Sequence, residues 1–183
     1  MKKLIKIAAI LILISGNLFA QKYITKNGKI SFYSDGEVEK IQATNNQVNA
    51  ALDTTTGDIV FKVLIKSFEF EKALMQEHFN DNYLESDLFP NSTFKGKVTN
   101  IITMSFNKNA TFSAVITGDL TIHGITKNVT EKGTFEIKDG KIIGTSKFNV
   151  TLSDYGVKIP SVVSKNIAQT VLVNVNVSLE PVK

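Results

Sequence analysis

Gly118-Asp119-Leu120-Thr121-Ile122-His123-Gly124-Ile125-Thr126-Lys127 decides the fold, because it reads as a strand running into a tight turn and out again. Upstream, Phe112, Ala114, Ile116, Leu120 and Ile122 recur at every second position. Downstream, Val129, Gly133, Phe135 and Ile137 do the same. Period-two alternation marks strands with one apolar and one polar face.

The pattern extends outward in both directions. Ile59, Phe61, Val63 and Ile65 share one face while Lys62 and Lys66 take the other. Similar rows follow at Ile142, Gly144, Phe148, Val150 and Leu152, and at Val171 through Leu179. Lys138-Asp139-Gly140-Lys141 has the form of a two-residue type I′ hairpin loop, which pairs Ile137 with Ile142 facing inward and Lys138 with Lys141 facing water. Asn27-Gly28 between Lys26 and Lys29 is read as the same device. Strands are predicted near 22–26, 29–33, 37–43, 46–53, 58–68, 93–105, 110–122, 127–138, 141–152 and 166–180, some continuous and bent. Together they form an all-β, antiparallel up-and-down barrel of about eight strands. One segment departs from the alternation: Leu74, Met75, His78 and Phe79 fall on one helical stripe, which predicts a short helix over 71–80.

Residues 1–20 carry Lys2, Lys3 and Lys6 before the apolar run Ile7–Ile14, and end at Ala20. They read as a cleaved signal peptide, with the folded domain over 21–183 and a periplasmic or secreted destination. The run is shorter than the roughly 20 residues that span a bilayer as a helix, so no stable membrane insertion is expected. The formal charge of +4 includes those three lysines. The basic balance is thus largely a property of the leader. All 21 basic residues are lysines, so the guanidinium forks that grip phosphate are absent and nucleic acid is a poor partner. With no cysteine, the exported domain must hold by packing and strand pairing alone.

The segment 118–127 resembles the G-D-L-T-I-x-G-V-T-K stretch of the YceI-like, polyisoprenoid-binding proteins. Ser67-Phe68-Glu69, Phe89-Pro90-Asn91-Ser92-Thr93-Phe94 and Asp154-Tyr155-Gly156-Val157 fall in that family's order. The resemblance implies a lipocalin-like barrel with the short helix near one end. It also implies an exported binder, carrier or store of an amphiphilic lipid, a polyisoprenoid or the tail of an isoprenoid quinone. The first strand reads Lys29-Ile30-Ser31-Phe32-Tyr33-Ser34 where relatives often place a histidine, so no metal or haem contact is carried over from that position.

An eight-stranded barrel is wide enough either to be filled by side chains or to hold one small ligand. Small inward residues such as Ala114, Gly133, Gly144 and Ser146 beside large rings favour a cavity. From parity, the ligand-lining residues are Phe61, Ile65, Leu74, Phe79, Phe94, Phe112, Ile116, Phe135 and Phe148. Each buried methylene contributes about 0.8 kcal/mol, so two or three isoprene units supply micromolar binding. A lipid in the barrel is then the only bound group implied.

No metal is expected: His78 near Glu77 and His123 near Asp119 lack a paired ligand spacing, and His123 is read as a surface turn. Asp119 and Asp154 are read as satisfying backbone donors in turns. With no cysteine and no nucleophile elbow, no catalytic residue is assigned and a non-enzymatic role follows. The Asn-x-Thr triplets at Asn91, Asn109, Asn128 and Asn149 read as strand-face threonines. Three rivals stand beside the carrier: a solidly packed structural or stress-response barrel, a transmembrane barrel, and an enzyme of isoprenoid or fatty-acid chemistry. The lysines opposite the apolar rows argue against a lipid-facing exterior. Nothing in the sequence decides the oligomeric state, a homodimer included.

Overall fold

The computed structural model describes residues 22–182; the leader expected at 1–20 lies outside them. The chain folds as β1 (Lys22–Asp35), β2 (Lys40–Asp53), β3 (Asp58–Leu64), β4 (Glu69–Phe70), α1 (Ala73–His78), β5 (Asn91–Val98), β6 (Ala110–Ile122), β7 (Ile125–Lys138), β8 (Lys141–Thr151) and β9 (Thr170–Pro181). Around the sheet the order is β1-β9-β8-β7-β6-β5-β3-β2, and the β1–β2 pairing closes it. β4 is a two-residue graft on β2, which leaves eight antiparallel strands in the barrel.

Two of its hairpins use the tightest turn available. Ile122 pairs with Ile125 around His123 and Gly124, at φ 50° and 74°. Lys138 pairs with Lys141 around Asp139 and Gly140, at φ 52° and 76°. Positive φ at both central residues is the type I′ geometry, whose twist matches that of the flanking strands. Ile137 and Ile142 are paired and buried, as the alternation requires.

Asn27-Gly28 is not a hairpin. β1 runs through it as one strand, with register shifts against β2 on either side of Gly28. A Cβ on Gly28 would stand 2.7 Å from Val177 Cγ1. Glycine is there because the side chain of Val177 on the neighbouring strand β9 crowds it, and the extra residue is absorbed as a bulge. The strands predicted at 37–43 and 46–53 likewise merge into β2. β3 and β5 end earlier than expected, each followed by a 3-10 turn, at Ile65–Ser67 and Ile101–Thr103. The helix is shorter than predicted, and a π-helical turn over Phe79–Tyr83 continues it.

The barrel is not uniform along its axis. At the end bearing the β2–β3 and β7–β8 turns, Leu52, Ile59, Val98, Ile142 and Leu179 are almost fully buried, with Ile101, Met104, Phe106 and Phe112 packed against them. Burying each such side chain contributes about 1.5–3 kcal/mol. This end is a solid plug. The opposite end carries the β6–β7 turn, α1 and the β8–β9 connection, and is hollow.

Gly96 and Gly118 explain one motif position. They pair across β5 and β6, and a Cβ on either would lie within 2.8 Å of the Phe94 Cζ. The ring lies over the two bare backbones, so the first residue of the 118–127 segment must be small.

Candidate ligand-binding cavity

The hollow end contains a cavity of about 510 Å³, more than three times the roughly 150 Å³ that admits benzene into an apolar core. Phe32, Phe68, Phe70 and Phe79 form one wall. Phe79 stacks on Phe32 at 5.5 Å and meets Phe68 and Phe70 at 5.5 and 5.0 Å, separations at which aromatic pairs attract. Leu120, Ile122, Phe148 and Val173 contribute to the lining from the barrel strands. A second chamber of about 110 Å³ is lined by Phe61, Phe94, Ile116 and Phe135. Ile30, Val63, Ser92, Leu120 and Phe148 belong to both walls, so the chambers follow one another along the barrel.

Polar groups gather at the lip of the outer chamber. Glu39 and Lys72 pair at 2.8 Å, and His78, Tyr83 and Asn166 stand in the same wall. Glu39 raises the pKa of Lys72, and burial raises that of Tyr83.

The residues predicted to line the interior divide three ways. Ile65, Leu74 and Phe79 lie on the outer chamber, and Phe148 borders both. Phe61, Phe94, Ile116 and Phe135 lie on the inner one. Phe112 lines neither and packs into the plug. Leu74 sits on the lip, with 61 % of its surface exposed. Phe32, Phe68 and Phe70 were not predicted: Phe68 and Phe70 come from the end of a 3-10 turn and the two-residue β4, where period two is interrupted, whereas Phe32 shares parity with Ile30 on the regular half of β1. Glu131 was passed over between Val129 and Gly133, although parity alone puts it on the inward row.

His123 is not a surface turn. Its Nε2 lies 2.7 Å from Glu85 Oε2, its Nδ1 3.2 Å from the Tyr155 carbonyl oxygen, and its ring meets the Phe89 ring edge-on at 4.7 Å. It ties the β6–β7 turn to the segment before β5 and to the β8–β9 connection. His78 is elsewhere, on the cavity lip, and among the described residues no three His, Asp or Glu side chains gather as metal ligands. Asp119 accepts a hydrogen bond from the side chain of Asn128 across the hairpin at 2.9 Å, in place of the backbone donor expected of it. Asp154 is exposed in a 3-10 turn ended by Gly156 at φ 69°. Burial raises the pKa of Tyr155, with smaller contributions from Asp154 and Glu131.

A closed antiparallel barrel, solid at one end and hollow and apolar at the other, defines the lipocalin-like class of small-molecule-enclosing folds. Within that class the chain belongs to the YceI-like family, whose domain model matches residues 22–179. A UPF0312 protein of Pseudomonas fluorescens (strain SBW25) is 44% identical over 77 residues, which are 39% of this chain and 37% of the relative. One from Pseudomonas putida (strain KT2440) is 32% identical over 108 residues, 56% of this chain and 50% of the relative. The chain thus spans half or less of the curated relatives it matches. Among solved structures, a polyisoprenoid binding domain from Saccharophagus degradans superposes with a TM-score of 0.77 at 12% identity, covering 89% of this chain and 99% of that one. Burkholderia cenocepacia BcnA gives 0.68 at 16% identity, covering 83% and 95%. These likenesses establish the fold.

Proposed function

We propose that the protein encloses the tail of an amphiphilic isoprenoid lipid in the hollow end of its barrel and acts as a binder, carrier or store. The observation that carries this reading is the outer chamber: its volume, within the 300–1,000 Å³ typical of ligand pockets, and its apolar, aromatic-rich wall. Family membership supports it, as does the likeness to a domain described as polyisoprenoid binding. The solid plug makes the hollow end the place of entry, and α1 with its following π turn forms the lid. Such a site works by excluding water from the tail, and its selectivity is for length and shape more than for chemical groups. A binding role, without chemistry on the ligand, is the economical one for walls of this composition.

Export follows from residues 1–20, and a periplasmic or secreted location is part of the proposal. No helix among the described residues is long and apolar enough to cross a membrane. Organic extraction and mass spectrometry of the protein purified from its own host test the reading. A stoichiometric prenyl lipid is the expected result. A protein that carries none and takes up no prenyl probe overturns it. Amino-terminal sequencing of the cell-envelope form checks export, with a start near residue 21 expected.

A further inference from the structure

The hydrogen-bonded wall of the barrel has an interruption beside the inner chamber. β6 and β7 pair along their whole length, from Ile122–Ile125 to Ala110–Ile137, and β8 and β9 pair from Ile142 to Thr151. Between β7 and β8, by contrast, the ladder runs only from Lys138–Lys141 to Gly133–Ser146 and stops. Continued, it would set Glu131 opposite Phe148. Instead the Ser146 hydroxyl donates to the Lys132 carbonyl at 2.7 Å and marks the last cross-link.

Glu131 stands at this interruption. It pairs with Ile116 on β6, which faces inward, and it lines the inner chamber together with Phe61, Phe94, Phe135 and Phe148. Ser92, Thr93, Thr145 and Ser146 are the other side-chain hydrogen-bonding groups of that wall, and Glu131 is its one ionisable group. Its carboxyl makes no hydrogen bond or ion pair with any described residue, so its capacity is free for a ligand. Burial raises its pKa, the mark of a wall that solvates charge poorly. A carboxylate accepts hydrogen bonds, and a hydroxyl head has one to donate. A phosphate brought to the same point would set like charges together in a poorly solvated wall.

We infer that Glu131 is a specificity-determining residue that receives the polar end of the ligand at the gap between β7 and β8, selecting a neutral hydroxyl-bearing prenyl lipid over its phosphorylated form. The head sits beside Glu131, where the broken ladder leaves the wall unsealed, and the tail runs into the outer chamber toward α1. This assignment rests on the lipid-enclosing function proposed above.

The test compares three C15 probes, farnesol, farnesyl phosphate and the saturated hydrocarbon 2,6,10-trimethyldodecane, binding to protein stripped of lipid, in the natural sequence and as Glu131→Gln and Glu131→Leu. The natural protein is expected to bind farnesol at least about tenfold more tightly than farnesyl phosphate, a difference of about 1.4 kcal/mol. Glu131→Gln, which keeps shape and hydrogen bonding but cannot ionise, should retain farnesol and narrow that ratio. Glu131→Leu should lose the preference for farnesol over the hydrocarbon. Circular dichroism confirms that each variant is folded. If both variants keep the natural protein's ratios, the role of Glu131 is overturned while lipid enclosure stands. If the natural protein binds none of the three, both fall together.

Discussion

At the scale of single residues, the β6–β7 turn shows how little freedom a short motif has. Gly124 sits at φ 74°, and a Cβ there would stand 2.5 Å from Phe89 Cε1. Gly124→Ala therefore combines a left-handed backbone with a ring clash. It should cost about 1–3 kcal/mol, read as a lower denaturant midpoint at unchanged slope. Glu131 gives a second prediction, with a definite sign. Its folded-state pKa is raised by burial, so the folded form binds the proton more tightly than the unfolded chain does. The folded state then gains stability as pH falls through the raised pKa and is relatively disfavoured above it. Glu131→Gln removes this dependence, so its advantage over the natural protein should be larger at pH 8 than at pH 5 in urea unfolding. Both positions lay in view in the sequence, but only part of their meaning did. The need for Gly124 was legible as a turn, whereas its contact with Phe89 joins segments more than thirty positions apart.

At the scale of elements, Asp139-Gly140 and Asn27-Gly28 present the same dipeptide form between lysines, and only the first is a hairpin. The alternation on both sides of Asp139-Gly140 settles the register before the turn is considered. On either side of Asn27-Gly28 the rows are weak, and the glycine answers to Val177 on the adjacent strand β9, a neighbour distant in sequence that no local pattern reveals. The helix was legible from its stripe, but its aromatic setting was not, since Phe68 and Phe70 reach Phe79 from irregular stretches of chain and Phe32 from a strand distant in sequence. Phe79 is half-buried in that group. Phe79→Ala should cost about 2–3 kcal/mol, below the roughly 3–5 of a fully buried phenylalanine. It should also weaken farnesol binding in a direct titration, because the lid loses its anchor.

At the scale of the whole molecule, alternation reveals which rows face inward but not whether they meet across the barrel. Phe112 and Phe148 looked equivalent in the sequence. One belongs to the plug and the other to the cavity. This division separates stability from binding. Leu179→Ala, in the plug, should cost about 2–5 kcal/mol in urea unfolding while the folded protein keeps its farnesol affinity. Leu120→Trp, in the wall shared by the two chambers, should obstruct farnesol uptake with a smaller effect on the unfolding midpoint.

The seam between β1 and β9 sets the order in which the molecule can be assembled. Each hairpin can form from neighbouring stretches of chain, but β1 must wait for β9, the last strand of the barrel in chain order, with Phe32 opposite Val173. Loop closure over so long a separation makes the final step slow. Until it happens, two bare edges stand open to pairing with other chains. Removing β9 should therefore yield aggregates instead of a smaller soluble domain, as sedimentation would show.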